Sequence, residues 1–168
     1  MKRIFLFIFA LLFVFSSTTF AQEGKVYEFN DCLTVTFPEE WPVDILKETL
    51  PLLNGTSPNK SPSITLRILV LTNKSLDEFM IDIKEDIANH IKLNFRLEES
   101  QNLYIDDHEA RLLIYSMYSP YGVKFYQLIG YFYSDQHNYG FYATGPYVNL
   151  GSDREIINSI LSSIKILK

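Results

Sequence analysis

The 168-residue chain is 47% hydrophobic and carries 20 acidic against 15 basic residues, three histidines and one cysteine. A formal net charge of −5 excludes the basic face that a nucleic-acid binder needs to neutralise phosphates. A single cysteine excludes an intramolecular disulfide framework, so the fold must stand on its hydrophobic core.

The chain opens as an export signal. Met1, Lys2 and Arg3 form a short basic start and Ile4 to Phe15 is unbroken apolar sequence. Thr19 and Ala21 then occupy the minus-three and minus-one places of a signal-peptidase site, which predicts cleavage between Ala21 and Gln22. The apolar run is too short for a spanning helix, which needs about 20 residues, so the mature chain is expected not to span a membrane. Removing Lys2 and Arg3 leaves 13 basic and 20 acidic residues, a formal charge of −7 over residues 22–168. That span reads as a single domain, without internal repeat, low-complexity tract or long linker.

A first strand is expected at Lys25 to Phe29. Leu33, Val35 and Phe37 alternate with Thr34 and Thr36 as in a half-buried strand that Pro38 ends. Asp44 to Leu53 has helical spacing but carries Pro51, so a short turn of helix is expected. Asn54 to Ser63 reads as a loop from its Gly, Pro, Asn and Ser content, and Ile64 to Leu71 as a central strand.

Ser75 and Glu78 make a capping box in front of Leu76, Phe79, Met80, Ile83, Ile87 and Ile91, which predicts an amphipathic helix at about 75–92 lying on a sheet. From Asn94 onward the pattern is a meander. Phe95 to Ser100 leads in, Glu109 to Ser119 and Val123 to Ser134 are joined by a hairpin turn, and Asn138 to Thr144 follows. In the strand from Val123, Phe125, Ile129, Tyr131 and Tyr133 alternate with Tyr126, Leu128 and Phe132, so both faces are apolar or aromatic. That predicts cover on both sides of the sheet. Gly145-Pro146 is expected to break the last strand. Ser152 with Glu155 is expected to cap a final helix at about 152–164, with Ile156, Ile157, Ile160, Leu161 and Ile164 as its buried stripe.

Chemistry-bearing residues are sparse. Cys32 lies eleven residues past Ala21, too far for the lipid-modified cysteine of a lipoprotein signal, and no histidine is near it in sequence; it reads as a small half-buried residue at a strand edge. No H-E-x-x-H, G-x-S-x-G or G-x-G-x-x-G pattern occurs. The densest polar group is Asp106, Asp107, His108 and Glu109, with Asp135 and His137 joining it if the two turns share one end of the sheet. Such donors suit a divalent cation, but their spacing matches no loop that fixes one. No catalytic, metal or cofactor residue is therefore assigned. Asn54-Gly-Thr56 and Asn73-Lys-Ser75 fit the N-glycosylation pattern, which matters only in a eukaryotic host.

The segments "VTFPEEW", "SLDEFMIDIKEDI", "IDDHEARLL" and "IINSILSSIKI" together resemble the PsbP-like family, which includes the extrinsic PsbP subunit of photosystem II, the Ran-binding Mog protein and bacterial DcrB-like envelope proteins. The likeness spans nearly the whole mature chain. The family turn often has Gly where this chain has Asp107 or His108, positions where Asp also tolerates a turn. The resemblance implies an α+β fold, an α/β/α sandwich around a central antiparallel sheet, and the role of an accessory or binding subunit. Trp41, between Pro38 and Pro42, is then expected to plug one end of the core, the alternative being an exposed stacking surface for a ligand.

The expected function is that of an exported, non-catalytic module of the envelope or secreted space acting on a protein partner. The alternative is a carrier of a small apolar ligand held between sheet and helix by tyrosines. Tyr118, Tyr121 and Tyr147, near turns or just past the last strand, are the candidate contacts, with Trp41 if it is exposed.

Overall fold

Every second residue of Leu33–Pro38 is apolar, and in the computed structural model Leu33, Val35 and Phe37 are all fully buried. The structure describes residues 24–46, 51–69, 75–78, 80–82, 85 and 95–167. Strands β1 (Gly24–Phe29) and β2 (Leu33–Pro38) form a hairpin, and the two-residue β10 (Lys165–Ile166) adds to the other edge of β2. The remaining strands form a seven-stranded antiparallel sheet in the order β3-β4-β5-β9-β8-β7-β6. Their ranges are β3 Val43–Leu46, β4 Leu52–Thr56, β5 Ser63–Leu69, β6 Arg96–Ile105, β7 His108–Tyr118, β8 Lys124–Tyr133 and β9 Asn138–Pro146.

Both faces of this sheet are covered, as the two-sided apolar pattern of β8 predicts. On one face Leu112, Ile114, Tyr126, Leu128 and Phe132 pack with β2 and with Ile157, Ile160 and Leu161 of the C-terminal helix (Leu150–Ser162). On the other, Leu113, Tyr115, Ile129 and Tyr131 pack with Leu76 and Met80. Leu76 and Met80 belong to the helix that Ser75 opens, whose described helical residues are 76–78, 80–82 and 85. Its capping box is formed in both directions: Glu78 N–H donates to Ser75 Oγ at 3.3 Å and Ser75 N–H donates to Glu78 Oε2 at 2.9 Å. The expected continuation of this helix to residue 92, and Asn73, lie outside the described residues.

In the extent and pairing of its strands and helices the structure differs from the sequence reading in five places. Residues 43–46 and 52–56 are strands β3 and β4 where a helical turn and the start of a loop were expected. Local helical spacing yields there to sheet pairing, β4 with β5 and β3 with β4 at the edge, a tertiary preference that short apolar runs do not encode. Gly55 belongs to that pairing because a Cβ would run into the Phe37 ring. The second difference is that β6 extends to Ile105, closing on Asp106-Asp107 with φ of 48° and 66°, the doubly positive backbone of a tight hairpin turn. Third, β9 continues through Pro146, because β5 stops pairing at Thr144 and the missing N–H faces no neighbouring strand.

Fourth, the C-terminal helix begins at Leu150, directly after a 3₁₀ turn (Tyr147–Asn149), with Asn149 at its N-cap and no side-chain cap bond. Ser152 lies inside its first turn and donates to the Asn149 carbonyl at 2.9 Å. Ile164 falls past the helix end at Ser162 and is still fully buried. Fifth, β1, β2 and β10 form a second small sheet where one sheet was expected. Ser163 ties this sheet to the helix, its hydroxyl accepting the Thr36 N–H at 2.9 Å.

Trp41 is 4% exposed, with its ring centroid 5.8 Å from that of Phe37. It sits in the core, so it offers no stacking face to a ligand. None of the described helices is long and apolar enough to cross a membrane.

Candidate functional site

The antiparallel meander sorts its turns to two ends of the large sheet. At one end lie the β1–β2 turn (30–32), the β6–β7 turn (106–107) and the β8–β9 turn (134–137). At the other lie the 57–62 loop, the β7–β8 turn (119–123) and the 3₁₀ turn 147–149.

The first end carries the acidic group singled out in the sequence, and the two turns do come together there. Asp106, Asp107, His108, Ser134, Asp135, Gln136, Ile166 and Leu167 line a cleft of about 440 Å³. Asp106 is committed to the fold: its carboxylate accepts the Ile166 N–H at 2.8 Å and pairs with Lys165 Nζ at 2.9 Å. Those two contacts, the backbone bond first, hold its carboxyl below the usual range. His108 Nδ1 donates to the Asp106 carbonyl at 2.7 Å, which fixes the ring beside the turn. Among the described residues no three His, Cys, Asp or Glu side chains converge as ligands for a metal ion.

Behind this cleft the fold makes a contact that sequence separation hid. Cys32 Sγ lies 3.7 Å from His137 Nε2, 105 residues away, and donates to the Asn30 carbonyl at 2.9 Å. Cys32 is 7% exposed and sits in the β1–β2 turn instead of on a strand edge. Burial pushes its thiol up and the nearby Asp31 adds to that, outweighing the Asn30 hydrogen bond. An activated nucleophile needs the thiolate favoured, and this environment disfavours it.

The opposite end is apolar and exposed. Tyr121 is 92% exposed and Val148 88%, with Tyr118 and Val123 close to half exposed. Tyr147 is half-buried and carries the Lys124 ammonium 3.4 Å above its ring centroid. The three tyrosines chosen from the sequence thus share one end of the sheet, and Val148 belongs with them although nothing in its local pattern marked it. Two carboxylates near this tip are matched by cations. Glu98 pairs with Lys124 at 3.4 Å and accepts from Ser116, and Glu99 pairs with Arg154 at 2.7 Å. These contacts, Ser116 first for Glu98 and Arg154 first for Glu99, hold both carboxyls below the usual range. Asp153, 3% exposed, accepts hydrogen bonds from Ser61 Oγ and Tyr126 Oη, both at 2.7 Å.

Most other tyrosines are spent on the core. Tyr115, Tyr126, Tyr131 and Tyr139 are each under 5% exposed, and Tyr131 and Tyr142 share a hydroxyl bond of 3.0 Å. Burial pushes the Tyr126 and Tyr131 phenols well above their ordinary range. Two further clefts, of about 290 and 150 Å³, flank the Ser75 helix and the edge of β2, and no tyrosine lines either of them or the 440 Å³ cleft. Asn54, in β4, accepts a bond from Thr65 Oγ1 at 3.0 Å.

Two covered faces on an antiparallel sheet, a hairpin-plus-helix layer and an apolar loop tip define an α+β sandwich of the PsbP/Mog-like fold. Solved structures agree. Cyanobacterial PsbP (CyanoP) from Synechocystis sp. PCC 6803 is similar with a TM-score of 0.65 and 11% identity, over 89% of this chain and 95% of that one. The Saccharomyces cerevisiae Ran-binding protein Mog1p matches with a TM-score of 0.59 and 10% identity, over 88% and 97%. LpqN, involved in cell envelope biogenesis of Mycobacterium tuberculosis, gives 0.58 and 10%, over 89% and 88%. No protein-family model matches the chain, and no curated relative does.

Proposed function

We propose that this protein is exported, cut between Ala21 and Gln22, and works in the envelope or secreted space as a non-catalytic binding module that meets a protein partner through its loop tip. The observation that carries this reading is Tyr121, 92% exposed at the same end of the sheet as Val148 at 88%, whereas Tyr115, Tyr126, Tyr131 and Tyr139 are buried. An exposed apolar cluster on a rigid end of a sheet is costly in water unless a partner covers it, and tyrosine is enriched at such contacts because its ring is rigid and amphipathic. The names of the similar folds point the same way: one solved relative binds Ran and another takes part in envelope biogenesis. The carrier reading has less support, since the tyrosines it needs are packed in the core.

The test is capture from the native envelope with Tyr118→Ala/Tyr121→Ala beside the parent chain. The variant is expected to lose the partner while its melting temperature stays within a few degrees of the parent's, as for exposed substitutions. A folded His108→Ala/Glu109→Ala/His137→Ala variant is expected to retain function. Loss of function in that triple variant would make the turns a site and overturn the non-catalytic reading. Intact-mass measurement of the exported chain is expected to show Gln22 at the N-terminus.

A further inference from the structure

The two ends of the sheet differ in charge as well as in polarity. The tip loops, residues 57–62, 119–123 and 147–149, contain Lys60 and no carboxylate, whereas the turns 30–32, 106–107 and 134–137 contain Asp31, Asp106, Asp107 and Asp135. At the acidic end Asp106 pairs with Lys165, whose charge Asp107 also feels at longer range, and neither Asp107 nor Asp135 forms an ion pair among the described residues. Ile166 and Leu167 line the same cleft, with His108, Ser134 and Gln136, so it combines apolar side chains with two carboxylates outside any ion pair. At the tip Lys60 forms no ion pair among the described residues, and Tyr121 projects from its hairpin turn almost entirely into solvent.

From this complementarity we infer that the partner of the tip is a second copy of this chain, which receives Tyr121 and Lys60 in its acidic cleft. The inference rests on the tip being a protein contact, as proposed above. About 440 Å³ lies within the range that holds a small organic group and accommodates a phenol ring against Ile166 and Leu167, its hydroxyl donating to a carboxylate at the rim. Lys60 supplies the opposite charge to Asp107 and Asp135. The two surfaces lie at opposite ends of β7, whose 11 residues separate them by roughly 33 Å. A tip-in-cleft contact is therefore heterologous: each added copy leaves a free tip and a free cleft, so assembly is head-to-tail. One side chain and a small rim bury little area, which places the contact in the weak, concentration-dependent class, with an ionic part that salt screens.

Sedimentation velocity of the purified exported chain, from micromolar to millimolar concentration, tests this. At low salt the weight-average mass is expected to rise past the dimer, and at high salt to fall back towards the monomer. A tip variant, Lys60→Asn/Tyr121→Ser, and a cleft variant, Asp107→Asn/Asp135→Asn, are each expected to stay monomeric with unchanged melting temperature. Asn is chosen because Lys60 and Asp107 have φ of 61° and 66°, which Asn tolerates. Mixed together, the two variants retain one intact tip and one intact cleft between them, so association is expected to resume and stop at the dimer. A parent chain that stays monomeric at millimolar concentration and low salt overturns the inference, as does a mixture that stays monomeric or variants that associate like the parent. If the parent is monomeric while Tyr118→Ala/Tyr121→Ala still loses a captured protein, the tip serves an unrelated partner and only self-association falls.

Discussion

Tyr126 reaches from the centre of the sheet to donate its hydroxyl to Asp153 of the C-terminal helix at 2.7 Å, and neither side chain is more than 3% exposed. Ser61 donates to the same carboxylate oxygen at 2.7 Å, so one buried carboxylate joins sheet, helix and the 57–62 loop. A buried carboxylate is tolerated only when its lone pairs are satisfied. Gly145 leaves the space, since a Cβ there would come within 2.9 Å of the Tyr126 ring. Tyr126→Phe is expected to cost about 1.5 to 3 kcal/mol, the range for a hydrogen bond to a charged group. Urea titration measures it, and a double-mutant cycle with Ser61→Ala is expected to show coupling because both donors share one acceptor.

Trp41→Ala is expected to cost about 3 to 5 kcal/mol, as for a large buried aromatic cut to Ala. Its 4% exposure and its packing on Phe37 leave a cavity that β2 cannot collapse into without moving Leu33 and Val35. A loss under about 1 kcal/mol in chemical denaturation would place the ring at the surface.

Asp106 makes the stability pH-dependent. Its folded carboxyl is depressed, first by the Ile166 N–H and then by Lys165. A depressed carboxyl stabilises the fold at pH above its unfolded value, and that stability is lost as pH falls through the folded value. Acid below about pH 4 is therefore expected to loosen β10 and the attached C-terminal segment. Faster amide exchange at Ile166 and Leu167 on acidification would report it. Asp106→Asn, which suits the positive φ of 48°, is expected to exchange fast there at neutral pH already and to flatten the acid dependence of stability. Glu98 and Glu99 titrate in the same direction and leave a residual slope.

Cys32 is expected to be slow to react. Its burial and the raised thiol disfavour the thiolate, which is the species that attacks. A disulfide exchange reagent is expected to label it at the rate of unfolding in the native protein and at once in urea. Rapid native labelling, abolished by His137→Ala, would reveal an activated pair.

Much of the fold is legible in the chain because local physics suffices for it. The alternation of Leu33, Val35 and Phe37, the Ser75–Glu78 box and the two apolar faces of β8 each encode an element or its burial within a few residues. So does the tight β6–β7 turn, since Asp106 and Asp107 tolerate the left-handed backbone.

What the sequence by itself determined is therefore most of the element types and the two-sided cover of the large sheet, since periodicity acts locally; it left Trp41 between the core and an exposed face. Only the tertiary structure decided that residues 43–46 and 52–56 pair as strands, that β10 closes a second sheet on β2, and that Cys32 meets His137 across 105 residues. It also decided which turns share an end. Those outcomes depend on strand order and register, which are set by long-range pairing and by whichever neighbour satisfies a backbone edge or a buried polar group. Asp153 shows the reason in one residue: its sequence neighbours mark an ordinary helix start, and its role comes from Tyr126 and Ser61, 27 and 92 residues away.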